Sequence, residues 1–313
     1  MIHEYILQPE EFQKDYVVWD KSRPSSAQQE KFCQALASSL EIEPNRAILS
    51  AYKDAYSTAG KSEDKMLSEG LKIASTLKDY IDFLKANDGR IMITPSEYKM
   101  LEKIKQNVQS HKLAANIIWP RNSRVRGLDI DEFIPVTGDS GISPIQDYHE
   151  FHINWEWIYD PPGKALAGDM NVPDHKVTVK CKSLLDGLTL DFKNKKVIIY
   201  DLKTTAKLWH FEDSIEMYDY CRQLQFYTRA VRWYLKNELE EDPSNWTFMY
   251  YIIGIDTTGS NEIRVFNVEK YMVDSRLTTV TLALCEIAWH QEHNLWEHSR
   301  EYYEGDGSES LNL

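Results

Sequence analysis

In residues 61–85, "KSEDKMLSEGLKIASTLKDYIDFLK", the apolar positions Met66, Leu67, Ile73, Leu77, Ile81 and Leu84 recur at helical spacing, which predicts one amphipathic helix ending at "ANDG". A second helix follows "TPSE", where Thr94 can cap, Pro95 suits the first turn and Glu97 completes a capping box. It is expected to run to about Leu113 or Ile117. From residue 150 the period shortens. "EFHINWEWIY" alternates as a strand does, and 182–205, "KSLLDGLTLDFKNKKVIIYDLKTT", reads as two strands around a turn at Lys193–Asn194. A short even loop pairs positions whose numbers sum to 387, so Leu190 faces Val197, Leu188 faces Ile199 and Asp186 faces Asp201. A helix over 213–237, strands at "WTFMYYIIGI" and "EIRVFNV" and a helix over 275–298 complete the pattern. The expected fold is α/β or α+β, a mixed central sheet flanked by helices.

The punctuation of the chain suggests its organisation. Residues 1–118 read as a helical N-terminal part and 150–275 as a core that contains the hairpin 179–203, within a single domain spanning 1–313. Two irregular insertions, 120–149 and 158–178, are rich in Pro, Gly and Asp, and the first is too long for an ordinary connection. The end, 302–313, is expected to be a flexible acidic tail. Hydrophobic residues at 42% and charged residues at 27% are ordinary for a globular chain and exclude wholesale disorder. There is no apolar run of membrane-spanning length and no basic stretch leading into an apolar one at the N-terminus, so no membrane partner and a cytoplasmic location are expected. Cys33, Cys181, Cys221 and Cys285 lie far apart without CxxC spacing, which argues against a zinc site, an iron–sulfur cluster or a disulfide scaffold.

The formal charge of −13 speaks against a nucleic-acid partner only if it is evenly spread. Residues 178–207 hold seven lysines against three aspartates, and "PRNSRVRG" presents Arg121, Arg124 and Arg126. Such groups either contact a phosphate backbone or are solvated.

The hairpin poses the chemical question. Like charges directly opposite one another are destabilising, and Lys203 shares a face with Asp201. A divalent cation between Asp186 and Asp201 would turn repulsion into shared ligation, with Lys203 placed to orient water or neutralise a phosphate. Mg2+ or Mn2+ would suit such oxygen ligands. In the plainer alternative, Asp201 and Lys203 form an ordinary ion pair and Asp186 caps a turn at Gly187. Glu150 could supply another carboxylate. Gln223 and Tyr227, four apart on the following helix, share a face that could point at the site, the amide holding a water or phosphate oxygen. "AYSTAGKS" echoes a phosphate-binding loop but lacks its first glycine and a feeding strand. Asp169, Asp174 and His175 are adequately explained as loop polar residues, and His290, His293 and His298 are expected to line the polar side of the last helix.

Together, "CKSLLDGL", "VIIYDLKTT" and "YDYCRQLQFYTRAVRWYL" resemble the RecB-type branch of the PD-(D/E)xK nucleases, nearest the phage exonuclease and exodeoxyribonuclease VIII group. "IHEYILQPEEFQKDYVVWD" is similar to that group's N-terminal stretch. The resemblance implies a restriction-endonuclease-like core and a Mg2+-dependent exodeoxyribonuclease, a hydrolase of linear double-stranded DNA. It assigns Asp186 to the motif II aspartate, Asp201 and Lys203 to D-x-K, Gln223 and Tyr227 to the Q-xxx-Y helix, Glu150 to the acidic position before the hairpin and His3 to the motif histidine. Metal ligands would be Asp186 and Asp201 with Glu150 and His3. The chain starts two residues before His3, short of the Gly-rich turn and helix start that carry this histidine in the family. Further implications are 5'-to-3' digestion, a ring-like homo-oligomer and a single-strand annealing partner in phage-type recombination. The alternatives are a structure-specific or restriction-type endonuclease with the same site, and a DNA-binding module without catalysis.

Overall fold

The computed structural model describes residues 1–86, 89–120, 145–160, 173 and 175–308. The chain clusters into two compact units, Pro9–Lys99 and a larger one made of Met1–Gln8 with Met100–Leu313. Arg121, Arg124, Arg126, Asp169 and Asp174, most of both expected insertions and the end of the tail lie outside the described residues.

The chain opens with α1 (Ile2–Leu7), which belongs to the larger unit. The smaller unit comprises α2 (Pro9–Asp15), β1 (Tyr16–Val18), α3 (Ala27–Ala37), α4 (Pro44–Ala55), α5 (Glu63–Thr76), α6 (Lys78–Lys85) and β2 (Ile91–Ile93). Its two short strands pair in parallel, and α3 to α6 enclose a core that includes Phe32, Cys33, Tyr52 and Met66. The single helix expected over 61–85 is two. Leu77 leaves helical geometry at φ −106° and ψ 21°, and the break lets Leu77 and Ile81 enter the same core as Met66. Lys61, from the loop that echoes a phosphate-binding motif, donates to Glu69 Oε2 at 2.7 Å and to the Tyr52 hydroxyl at 2.5 Å. Its charge is used within these helices.

The helix α7 (Pro95–Ser110) begins with the expected capping box: Glu97 N donates to Thr94 Oγ1 at 3.2 Å and Thr94 N to Glu97 Oε2 at 2.7 Å. It stops earlier than expected because His111 starts a new helix, α8 (Lys112–Ile118), by accepting at Nδ1 from Ala114 N. There follow β3 (Ile145–Tyr159), β4 (Val177–Asp191), β5 (Lys196–Thr205), α9 (Phe211–Met217), α10 (Tyr220–Asn237), β6 (Thr247–Asp256), β7 (Ile263–Val268), α11 (Lys270–Asp274), α12 (Leu277–His293) and α13 (Arg300–Glu304). Strand structure therefore already covers 145–149 and reaches Tyr159, shortening both expected insertions.

The fold is mixed α/β: a five-stranded sheet in the order β3-β4-β5-β6-β7, antiparallel except for the parallel pair β5–β6. That parallel pair requires a crossover, supplied by α9 and α10. Val197–Leu202 are all buried, as a central strand covered on both faces must be, which explains the unbroken apolar run around Asp201. Leu224, Val231 and Leu235 of α10 join Leu185, Leu188, Ile199 and Ile252 of the sheet in one core. The helix expected over 213–237 breaks at Asp219, which takes φ +47° and is held by Arg276 Nε at 2.7 Å.

The last long helix ends at His293, so His298 is not on it, and His290 is buried rather than on a polar face, its Nδ1 bonded to the Leu295 carbonyl. Among the described residues no helix is long and apolar enough to cross a membrane.

One carboxylate organises the β6–β7 turn. Asp256, buried by accessible surface, accepts from the backbone N–H of Thr258, Ser260 and Asn261 and from two hydroxyls. The Ser260 hydroxyl above all holds its pKa down to about 2, against a usual 3.8. A depressed acid stabilises the fold above its unfolded pKa and loses that contribution as pH falls through the folded value. Asp256→Asn should therefore cost about 1–2 kcal/mol at pH 7 and progressively less from pH 4 down to pH 2, read from urea melts at each pH.

Candidate active site

The sheet brings the carboxylates together at a fault in its own ladder. The sum rule for the hairpin holds through Leu190–Val197, Leu188–Ile199 and Gly187–Tyr200, and there the β4–β5 pairing ends. Asp186 and Asp201 are thus not a bonded cross-strand pair. Asp186 Oδ2 instead accepts from the Leu202 backbone N–H at 2.7 Å, so a carboxylate satisfies a donor at the point where the ladder stops. On the other side of β4, His149 pairs with Gly187 and Phe151 with Leu185, leaving Glu150 between them at φ +47°. A left-handed residue inside a strand re-aims its side chain, as in a bulge. The Asp186 charge acts on the Glu150 carboxyl, which burial first and Asp186 second raise above the usual range.

Asp201 is 2% exposed. Its Oδ1 accepts from Gln223 Nε2 at 3.0 Å, and Lys203 Nζ stands 2.7 Å from Oδ2. That ammonium is the ion-pair partner of Oδ2, a buried oxygen with no other donor. Burial, and then the Asp186 charge, push the Asp201 carboxyl up to about 6 against the pull of Lys203. The ammonium also donates to Gln223 Oε1 at 3.2 Å and lies 4.8 Å over the Tyr220 ring. Gln223 donates a second bond to the Tyr227 hydroxyl at 2.7 Å, whose own pKa burial drives to about 12. With both amide protons and the carbonyl engaged, Gln223 is a brace between Asp201, Lys203 and Tyr227. It does not present a free amide to a water or phosphate, as one expectation had it.

His3 of α1 reaches the same cluster. Its Nε2 is 2.7 Å from the Leu202 carbonyl oxygen and 3.4 Å from Asp186 Oδ2, and the nearby carboxylate raises its pKa. As placed, Nε2 donates to a carbonyl, so that nitrogen does not serve as a ligand atom in this arrangement. All seven residues singled out from the sequence thus converge: His3, Glu150, Asp186, Asp201, Lys203, Gln223 and Tyr227.

Three contributors were not anticipated: Tyr220 beneath Lys203, the Leu202 peptide, and Gly187. Extending the Gln223–Tyr227 stripe three residues back would have found Tyr220. The lysine-rich run does not form one surface. Lys180 and Lys182 lie on one end of β4, Lys193 and Lys196 near the hairpin tip, roughly 35 Å away at about 3.3 Å per residue. Lys195 at that tip pairs with Glu241 at 2.7 Å.

Among the described residues no group of three or more His, Cys, Asp and Glu side chains stands ready to ligate a metal. Mg2+ needs fewer, since one or two carboxylates with waters and phosphate oxygens complete its shell. The donor set fits such an ion: two carboxylates with a third beside them, acids raised by burial and then by the Asp186 charge, and a buried Asp201 oxygen with no donor besides the Lys203 ammonium.

No protein-family model matches the chain, and no curated protein does either. Among solved structures, one from Eubacterium rectale, of a protein provisionally named an exonuclease, is 12% identical with a TM-score of 0.34 over 91% of each chain. A score of that size is too low to carry an assignment.

Proposed function

We propose that this protein is a divalent-cation-dependent deoxyribonuclease that hydrolyses phosphodiester bonds at the Asp186–Asp201–Lys203 cluster, as an exonuclease on linear double-stranded DNA. The observation that carries the reading is the convergence of Asp201, Lys203 and Gln223 with Asp186 at the end of the β4–β5 ladder, where an ordinary fold would avoid burying like charges. An ion pair would account for Asp201 and Lys203, and His3 stands beside Asp186, but Glu150 is left as added negative charge.

Asp186 and Asp201, with Glu150 beside them, would hold the cation, which when bound supplies a Lewis acid at the phosphoryl oxygen and a more acidic water. Lys203, 23% exposed at its side chain, stands at the partly open edge of this cluster. It donates to the non-bridging oxygen on which charge grows as water attacks phosphorus, an electrostatic role that needs no reorganisation because Asp201 and Gln223 already fix the amine. Tyr227 locks the Gln223 rotamer, and the Leu202 N–H locks that of Asp186. The polarity of digestion, a ring-like homo-oligomer and a single-strand annealing partner come from the family resemblance and extend this proposal.

The test is digestion of matched linear and covalently closed circular duplexes with Mg2+, with Mn2+ or with EDTA. Loss of the linear DNA alone, stopped by EDTA, is the expected result. Cutting of the circle would replace the exonuclease with an endonuclease at the same site, and no cation-dependent cutting by folded protein would leave a binding module.

A further inference from the structure

The segment that joins β5 to α10 carries large side chains with no core to fill: Trp209 is 76% exposed, Met217 75% and Tyr218 61%. Tyr218 is not randomly placed. Its ring stacks on that of Tyr220 with centroids 5.9 Å apart and planes 24° from parallel, and Tyr220 in turn meets the Lys203 ammonium, 4.8 Å from its ring, and the buried Phe211 ring. Residues two apart on a helix do not face each other, so a continuous helix through this region would hold the two rings apart. They meet because Asp219 between them adopts φ +47°, a conformation disfavoured for a non-glycine residue and pinned here by Arg276. A locally strained backbone therefore carries an aromatic stack from the buried site out to solvent.

We infer that the Tyr218–Tyr220 stack is a base-stacking platform, and that the strand entering the site does so unpaired. This rests on the nuclease reading above. With a phosphate held at Lys203, the exposed face of Tyr218 lies within reach of a base one or two nucleotides along the same strand. The flat, apolar ring suits a nucleobase, because stacking on an aromatic side chain is favourable for every base. A second phosphate backbone does not suit it: the adjoining helix α9 places Asp213 and Glu216 on its exposed surface, and these carboxylates repel phosphates, while Glu212 beside them is paired with Arg264. A base inside an intact duplex shows only its edges and a blunt end offers only the face of its last pair, so a base one or two nucleotides in from the end reaches the ring only where the end is frayed or single-stranded.

The experiment is fluorescence anisotropy of a short labelled single strand and a blunt duplex of the same sequence, in EDTA so that neither is cut. It uses wild-type protein, Tyr218→Ala and Tyr218→Phe, and Mg2+-dependent hydrolysis of both DNAs is measured in parallel. Tyr218→Ala should weaken single-strand binding about tenfold or more, with Tyr218→Phe staying within about twofold of wild type and duplex binding barely changed. Single-strand affinity of Tyr218→Ala within about twofold of wild type would overturn the platform, whether or not the protein cuts DNA. An equal loss for both DNAs would also overturn it, since the ring would then be contacting something common to both. A wild-type protein that cuts neither DNA yet shows the selective loss would sink the nuclease reading and leave the platform standing. Tyr218 fills no core, and thermal melting of each variant checks that the fold is kept.

Discussion

Lys203→Ala should lower cation-dependent hydrolysis of linear duplex by about 10²- to 10³-fold while the protein stays folded, the scale seen when one pre-organised charge-stabilising donor is lost. The ammonium is positioned by Asp201 at 2.7 Å and Gln223 at 3.2 Å, so its removal deletes a fixed donor and not a wandering surface charge. Lys203→Arg keeps the charge but offers a planar fork where a compact ammonium sat over Tyr220, and should recover only part of the rate. The same substitution has a stability signature. Asp201, already raised to about 6, loses the group that opposes its rise, so its folded pKa moves higher still. An acid whose pKa is raised on folding contributes stability below its unfolded pKa, and that contribution is lost as pH rises through the folded value. In EDTA, the melting temperature of Lys203→Ala should therefore lie further below wild type at pH 7–8 than at pH 5. Hydrolysis within about threefold of wild type would remove Lys203 from the mechanism.

Gly187→Ala should cost at least about 3 kcal/mol, at or beyond the upper end of ordinary overpacking penalties. A Cβ at Gly187 would meet Tyr200 Cζ at 1.9 Å and Cε1 at 2.0 Å. Neither side can yield. Tyr200 is 1% exposed, and Gly187 is paired to His149 on one strand and to Tyr200 on the other. Relief by backbone movement would shift Asp186, the next residue, so activity should fall with stability. Gly187→Ala combined with Tyr200→Ala removes the colliding ring, and the double variant should be more stable than the sum of the two single losses predicts. Urea melts of the four proteins give the coupling directly. A single variant melting within about 1 kcal/mol of wild type would show that the ring gives way.

Much of the site could be read before any coordinates. The period-two alternation of 182–205 and its short loop led to the register of β4 and β5 as far as Gly187–Tyr200, and the face shared by Asp201 and Lys203 followed from strand geometry. The four-residue spacing of Gln223 and Tyr227 likewise put both on the helix face that meets the sheet. Local rules failed where the chain departs from regular geometry for a tertiary reason. The helices expected as single rods break at Leu77, His111 and Asp219: a buried leucine is gained at the first and an arginine from the turn before α12 at the last, while the break at His111 comes with a local histidine cap. The expected facing of Asp186 and Asp201 became a carboxylate bound to the Leu202 amide because the ladder stops one residue sooner. Within the lysine-rich run, Lys180 and Lys182 proved distant from Lys193 and Lys196, since an extended strand spreads its residues over tens of ångströms.

Alternation, capping and hairpin register depend on neighbours a few residues away, so the sequence by itself determined the hairpin of β4 and β5, the capping box of α7 and which side chains share a face. The tertiary structure alone decided that His3 and Glu150 join the carboxylates, that the Tyr200 ring lies over Gly187, and that Asp201 and Glu150 hold their protons more tightly than free acids. The reason is physical: the cost of a buried charge is set by everything that surrounds it, and those surroundings come from residues as far apart in the chain as His3 and Leu202.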